Sequence, residues 1–484
     1  MSTVAALVRN TTVLVAGTVS AKAAVFASYL ILTRQLGAED FGRYAFLFAF
    51  ASFFELVADA GLDPLVIREA TRPGTDAGRR LGDALLLRLL LTILATLAAV
   101  TLFPLIKGGR EDAPLVLLAC ATFVTSNRHA SLRSLWEVPY RAALRMELPT
   151  LLSVLTEILH LGLLAAAILR WGLAGAVAAQ AVAQFPGLVV LAWLSARRVR
   201  PVFRPDPRRL AELLRTAFPM LGILALNIVL ARIDVLMLER MRGSAAVGLY
   251  AAAVRLVEVA NLLPALLMTS VYPLLTESHP LQPERITRLF QGSLRFLTLC
   301  LVPVVIVEVL YPAPILRLLF GDGYVSSAAI LPILAASELL VYVDIVLSSR
   351  FIAVRLEKRN LQLLLAAALT NVIANWFLIP AFGGAGAALA TLLAFAVRVL
   401  ATFVIAETRP VAREAFAAIA PALGAGAIVA AALFLCRGLP LMFSFAAIPL
   451  YAGALLLLRG LKREDLELIR QLRSAAPVLH EPGD

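Results

Sequence analysis

Charged side chains stand inside the apolar stretches of this chain, and any chemistry must start from them. Lys22 lies at the middle of one apolar run and Glu55 at the middle of the next. Glu55, Asp59 and Asp63 are spaced by four, which puts them on one face of a helix. Arg232 and Asp234 are two apart and face different ways, so at least one should meet another helix or a cavity. Arg255 and Glu258, three apart, can pair within one helical turn. Arg128 with His129, Glu157 with His160, and Glu338 with Asp344 fall in three further runs. A charge at the centre of a bilayer costs roughly 2.5–3.5 kcal/mol on insertion scales, so each needs a partner or a water-filled cavity. Two readings stay open for Lys22 and Glu55: a buried ion pair, or a cavity cation beside carboxylates that titrate. Histidine ionises near neutrality, which makes His129 and His160 relay candidates, with packing as the simpler role. Asn371 and Asn375 share a helix face and are expected to bond between helices rather than to a substrate.

The elements that hold these residues are dictated by composition. The 484 residues are 61% hydrophobic and only 16% charged, with mean hydropathy +0.87. A soluble domain carries about 25% charged residues. The apolar residues come in blocks of roughly twenty, the length of a helix that crosses a bilayer. Lipid offers the backbone no hydrogen bonds, so the spans must be helices or a closed barrel, and continuous apolar runs exclude the alternation of a barrel. The expected fold is all-α and polytopic, with about 14 transmembrane helices at 12–33, 44–66, 82–104, 114–136, 147–169, 173–195, 217–239, 246–272, 290–312, 327–349, 361–382, 384–406, 412–435 and 439–458. The first run is too long for a signal-peptide core and reads as a retained span.

The net charge of +12 would suggest nucleic acid in a soluble protein. Here the arginines sit between spans and alternate loop by loop, which is topology. The basic loops include Arg79, Arg80, Arg141, Arg145, Arg197 to Arg209, Arg285, Arg288 and Arg355 to Arg359. The positive-inside rule places them, and both termini, in the cytoplasm. Cys120, Cys300 and Cys436 lie in apolar runs without metal-ligand spacing and read as buried small hydrophobes. No phosphate-binding loop, catalytic triad spacing or paired metal ligands are visible, so no cofactor is expected and energy must come from an ion gradient or the substrate's own gradient. Trp136, Trp171 and Trp193 fall near predicted span ends, as membrane-interface residues do.

An internal repeat organises the spans. Phe41-Gly42-Arg43-Tyr44-Ala45 opens span two and Val247-Gly248-Leu249-Tyr250-Ala251 opens span eight. Arg88 and Arg295 hold matching places in spans three and nine. Trp171 to Ala176 joins spans five and six as Phe382 to Ala387 joins eleven and twelve. The order and near-constant offset predict two parallel six-helix lobes, at 1–205 and 206–408, followed by two extra transmembrane helices at 409–460 and a cytoplasmic tail at 461–484. Parallel repeats of this kind are a transporter architecture.

Several stretches then resemble a known family. They are Arg34-Gln35-Leu36-Gly37 with Phe41-Gly42-Arg43-Tyr44, Asp59-Ala60-Gly61-Leu62, Arg232 to Leu238 with Val247-Gly248-Leu249-Tyr250, Leu319 to Tyr324, and Asn371 and Asn375 with Ile379-Pro380 and Gly383 to Ala388. Together, over about residues 20 to 400, they resemble the Wzx-type polysaccharide flippases of the multidrug/oligosaccharidyl-lipid/polysaccharide exporter (MOP) superfamily. The resemblance implies a V-shaped pair of lobes, alternating access, and movement of undecaprenyl-diphosphate-linked oligosaccharides across the inner membrane for O-antigen, capsule or exopolysaccharide synthesis. It suggests the lipid bilayer, polysaccharide polymerase and chain-length proteins as partners, with no nucleic acid. A diphosphate headgroup wants a cation in a low-dielectric cavity. Lys22, Arg232, Arg255 and Arg128 are therefore the candidates for substrate contact, and Glu55, Asp59, Asp234, Glu258 and Glu338 those for proton coupling or gating. A cation-coupled drug or metabolite antiporter of the same superfamily is the alternative, and should have an acidic cavity and about twelve spans. A membrane polymerase or glycosyltransferase would need a large exterior loop, which the chain lacks.

Overall fold

In the computed structural model the described residues are 3–70, 76–107, 112–127, 131–143, 145–204, 206–435 and 447–457, with side chains from 16 onward except at 64, 68–70, 218–220, 447–448 and 456–457. Among them every regular element is a helix, as a backbone without water requires. In chain order these are α1 (Thr3–Asp59), α2 (Leu62–Ala70), α3 (Ala77–Lys107), α4 (Ala113–Cys120), α5 (Thr122–Thr125), α6 (Leu132–Ala142), α7 (Glu147–Ala183), α8 (Phe185–Arg198), α9 (Pro207–Arg242), α10 (Ser244–Ala260), α11 (Leu262–Ser278), α12 (Pro283–Leu310), α13 (Pro312–Phe320), a 3-10 turn (Asp322–Ala329), α14 (Leu331–Ala353), α15 (Glu357–Phe382), α16 (Gly384–Val404), α17 (Arg409–Leu435) and α18 (Ala447–Leu457). Among the described residues ten helical stretches are long and apolar enough to cross a membrane. Two of them hold two expected spans each.

Glycines mark those junctions. Gly37 breaks α1 with φ 71 and ψ 178, and Gly172 breaks α7 with φ 52 and ψ −130. The same conformations recur at the matching places of the repeat. Gly243 ends α9 with φ 81 and ψ 174, and Gly383 ends α15 with φ 57 and ψ −130. Only glycine adopts these angles without steric cost. The motifs that open spans two and eight also touch. A Cβ on Gly42 would collide with the carbonyl of Ser244, and one on Gly248 with the carbonyl of Ala38. The contact is reciprocal, with each glycine facing the residue that stands, in the repeat, where its own partner stands.

One expected span is not a single helix. The run 114–136 is divided among α4, α5 and α6: α4 and α5 meet at Ala121, and the helix then stops at Ser126, which is extended with φ −57 and ψ 132 where the polar sequence begins. The turn of α6 is closed by Ser131, whose backbone N donates to Ser134 Oγ at 3.2 Å.

The described residues form two compact units, Met1–Gly248 and Leu249–Asp484. In the first, α1 packs on α3, α7 and α9, and α6 packs on α8. Helix α9, which the repeat places first in the second lobe, lies against α1, α2 and α3. In the second unit, α12 and α14 form the core with α11 and α17, through Phe290, Leu294, Leu297, Tyr342 and Val346. Helix α18 packs on α17, with Tyr451 Oη donating to Ala422 O at 3.3 Å. The tail expected from 461 lies outside the described residues.

Candidate functional site

Asp59 and Asp63 of the expected stripe are gathered by a residue that sequence spacing did not single out as a site. Arg88 of α3 is fully buried. Its Nη1 donates to Asp63 Oδ1 at 2.7 Å, to Ser131 O at 2.7 Å and to Ser134 Oγ at 2.9 Å. Its Nη2 donates to the Asp59 carboxylate and to Asp59 O. Ala60 and Gly61, both at positive φ, end α1 between the two aspartates, so the carboxylates reach one guanidinium from two helices. A planar fork of five donors is suited to holding two carboxylates at once. One guanidinium thus bridges two acidic side chains. The signal that could have found it was a midspan arginine at the depth of the stripe.

Glu55 lies one turn before Asp59, and its Oε1 is buried without a hydrogen-bond partner. Arg232 of α9 is within electrostatic reach of Glu55, so this basic residue does meet another helix. Asp234 is buried, with Oδ1 accepting from Val235 N at 2.7 Å. Lys22 is exposed. Among the described residues no ion pair joins Lys22 to Glu55, so of the two readings left open the buried ion pair is not seen here, and it is Arg88 that pairs with Asp59 and Asp63. Arg128 and His129 lie outside the described residues.

A second buried network ties α1, α6, α7 and α8. His160 Nδ1 is 3.4 Å from Ser28 Oγ and 3.9 Å from Glu157 Oε2. Arg133, fully buried, reaches Thr156 Oγ1 and Ser153 Oγ, both at 3.4 Å. Gly187 of α8 packs close beside it, where a Cβ would come within 2.7 Å of Thr156 Oγ1 and 2.8 Å of Arg133 Nη1. At the end of α3 a third group forms. Lys107 Nζ is 2.8 Å from Asp112 and 3.4 Å from Glu239, and Arg43 pairs with Asp112 and with Asp40 at 3.0 Å. Burial opposes ionisation of Asp112, but the hydrogen bonds and charges of Arg43 and Lys107 outweigh it and hold the carboxyl below its usual range.

In the second unit Arg255 pairs with Glu258 along α10. Glu338 of α14 is buried, its Oε1 without a partner, within electrostatic reach of Glu258 and Glu308. Glu308, near the end of α12, was not visible as a candidate because it falls at a span boundary. Asp344, unlike Glu338, is ion-paired: Arg398 Nε lies 2.5 Å from its carboxylate, and Arg398 also donates to Ser348 Oγ at 2.7 Å. Asn375 Nδ2 donates to Asn371 Oδ1 at 3.0 Å. That bond runs along one helix rather than between helices, because residues four apart stack on one face. Among the described residues no three His, Cys, Asp or Glu side chains are placed to hold a metal ion.

The comparisons with known proteins agree with one another. The family model described as "Polysaccharide biosynthesis protein" matches residues 7–279. A probable low-salt glycan biosynthesis flippase, Agl15, of Haloferax volcanii is 22% identical over 383 residues, covering 77% of each chain. Among solved structures, the lipid II flippase MurJ in an inward closed conformation superposes with TM-score 0.72 at 13% identity, covering 94% of this chain and 99% of that one. An inward-facing multidrug-resistance MATE transporter of the MOP superfamily gives TM-score 0.64 at 16% identity, covering 81% and 94%. Fold, spans and family model together make this chain a multi-pass membrane protein with the MOP-superfamily fold, and a member of the polysaccharide biosynthesis protein family.

Proposed function

We infer that the chain is a flippase that carries polyprenyl-diphosphate-linked oligosaccharides across the bilayer. The observation that carries this reading is the family match over residues 7–279. The glycan flippase relative and the MurJ-like fold support it. The two lobes of the repeat, 1–205 and 206–408, would alternate access to a site near the membrane midplane, as parallel repeats do. Helices from 409 onward would guide the polyprenyl tail. The membrane would be the bacterial inner membrane, with both termini cytoplasmic, and the products would feed O-antigen, capsule or exopolysaccharide polymerases and their chain-length partners.

The residue arrangement sorts the candidates. Lys22 is exposed and unpaired to Glu55, which suits a cation that meets the diphosphate. Arg255 offers the same charge once Glu258 releases it, and Arg232 and Arg128 remain candidates for headgroup contact. Asp59 is committed to Arg88. Glu55 and Glu338, each with a buried carboxylate oxygen lacking a partner, suit uptake and release of a coupling proton, with Asp234 and Glu258 as gating neighbours.

A second reading, a cation-coupled drug or metabolite antiporter, draws on the MATE-like fold. One experiment separates them. In a strain lacking the gene, mass spectrometry should find undecaprenyl-diphosphate oligosaccharide accumulating on the cytoplasmic side, cleared by the wild-type gene and not by Lys22→Ala. Clearance by both would remove Lys22 from the site. Absence of accumulation, with drug resistance on overexpression, would favour the antiporter.

A further inference from the structure

The first unit carries a basic, aromatic surface that no transport step uses. Residues 197–209 contain six arginines and one acid, Asp206. The segment begins at the end of α8 and runs to the start of α9. It is fixed against the start of α3: Val202 N donates to Gly78 O at 2.9 Å, and Gly78 and Gly82 have no room for a Cβ beneath the carbonyls of Arg200 and Val202. A solvated charge run would not need two glycines to seat its backbone.

The arginines are presented outward. Arg197, Arg198, Arg200, Arg204 and Arg208 are exposed. Asp206 is taken up by the cap of α9, accepting from Arg208 N at 3.0 Å, and by Arg209 at 3.5 Å. Asp83 lies buried beneath, within electrostatic reach of Arg79 and Arg209. Among the described residues the other five arginines have no acidic partner. Arg197 lies 3.6 Å over the ring of Trp193 and Arg198 4.4 Å over that of Tyr140. Trp193 is 55% exposed and Phe203 59% exposed. Exposed aromatic rings beside arginines, at the end of an apolar helix, match the boundary where hydrocarbon gives way to headgroups. Arginine stacked on a ring is only weakly hydrated and keeps its donor fork free for phosphate.

We propose that the surface formed by Arg197, Arg198, Arg200, Arg204 and Arg208 with Trp193 and Phe203 is a docking site for the phosphate headgroups of anionic phospholipids in the surrounding leaflet. The site depends on the chain crossing a bilayer, and not on what the chain carries. Each arginine next to an anionic surface contributes about fivefold to lipid partitioning, and the attraction falls off within about 8–10 Å at ordinary salt. Fixing the segment on α3 holds several arginines within that distance together.

Trp193 reports on the site directly. The full chain with Trp136→Phe, Trp171→Phe and Trp376→Phe, reconstituted in bilayers, leaves Trp193 as the sole tryptophan. Brominated phosphatidylglycerol should quench it several-fold more strongly than brominated phosphatidylcholine at the same mole fraction, and 0.5 M salt should shrink the difference. Arg200→Gln, Arg204→Gln and Arg208→Gln together should bring the two lipids close to parity, while the corresponding three lysine substitutions should keep most of the preference. Equal quenching by the two lipids in the parent would overturn the proposal and leave this face to water or a soluble acidic partner. A preference that survives the glutamine substitutions would overturn the assignment to these arginines.

Discussion

Replacing Arg88 with methionine should destabilise the first unit more than any other single substitution among its midspan charges. The side chain is fully buried and donates to two carboxylates, one hydroxyl and two backbone carbonyls. Methionine keeps the length and removes every donor. Asp59 and Asp63 would then stand as two neighbouring carboxylates without a cation. Breaking one side of a buried ion pair costs about 3–5 kcal/mol. Replacing both sides is cheaper, because no charge remains to be solvated. Arg88→Met with Asp59→Asn and Asp63→Asn should therefore recover most of the loss. For a unit of 150–250 residues each kcal/mol moves the midpoint by about 2–4 °C. The single variant should fall on the order of 6–20 °C and the triple by only a few degrees. The assay is thermal unfolding of the purified chain in one detergent at one scan rate, since membrane proteins rarely refold and the midpoint is then kinetic. A single variant as stable as the parent, or a triple variant no better than the single, would refute the idea that Arg88 exists to hold the two carboxylates.

Three further outcomes follow from the same geometry. Gly42→Val and Gly248→Val should each cost about 1–3 kcal/mol by overpacking against a backbone carbonyl, whereas Gly162→Ala, with open space around its Cβ, should be neutral or stabilising by up to about 1 kcal/mol; thermal midpoints of the three variants check this. Asp112 has a depressed folded pKa, so its ion pairs stabilise the fold above the unfolded value near 3.9 and stop doing so as pH falls through the lower folded value. Asp112→Asn should be less stable than the parent at pH 7, and the difference should begin to shrink as pH drops below about 4 and vanish below the lower folded value, measured as unfolding midpoints across pH. Glu55→Gln should leave stability near that of the parent, because its buried Oε1 has no hydrogen bond to lose, while shifting the pH dependence of transport; a variant that transports with unaltered pH dependence would remove Glu55 from coupling.

Much of this was legible because lipid narrows what a backbone can do. The long helices follow from apolar run length, and short glycine motifs are what pointed to a repeat. The structure adds why those motifs recur: Gly37 and Gly243, and Gly172 and Gly383, each share a positive-φ conformation that only glycine adopts cheaply. The spacing of four correctly puts Glu55 and Asp59 on one face of α1, but Asp63 is not part of that stripe: it lies on α2, past the break at Ala60 and Gly61, and reaches Arg88 from a second helix. The stripe's partner was not visible, since Arg88 lies on another helix and only packing decides which midspan cation meets which carboxylate. Lys22, open in the sequence to being either a partner of Glu55 or a cavity cation, is exposed and makes no ion pair with Glu55. The same limit applies to Asp344, whose fate was set by Arg398 from α16. The break in the fourth span was hidden because hydropathy averages over windows longer than the polar interruption at Ser126.

The central claim is that the chain moves a lipid-linked oligosaccharide across a bilayer. It is tested most directly in proteoliposomes that contain only the purified chain and a fluorescent undecaprenyl-diphosphate oligosaccharide confined at the start to the inner leaflet. An externally added glycosidase should cleave the sugar at a rate set by the protein, and Lys22→Ala should slow it without changing how much protein is incorporated. Sugar that stays protected in protein-containing vesicles, as it does in empty ones, across a range of imposed pH and sodium gradients, would contradict the account.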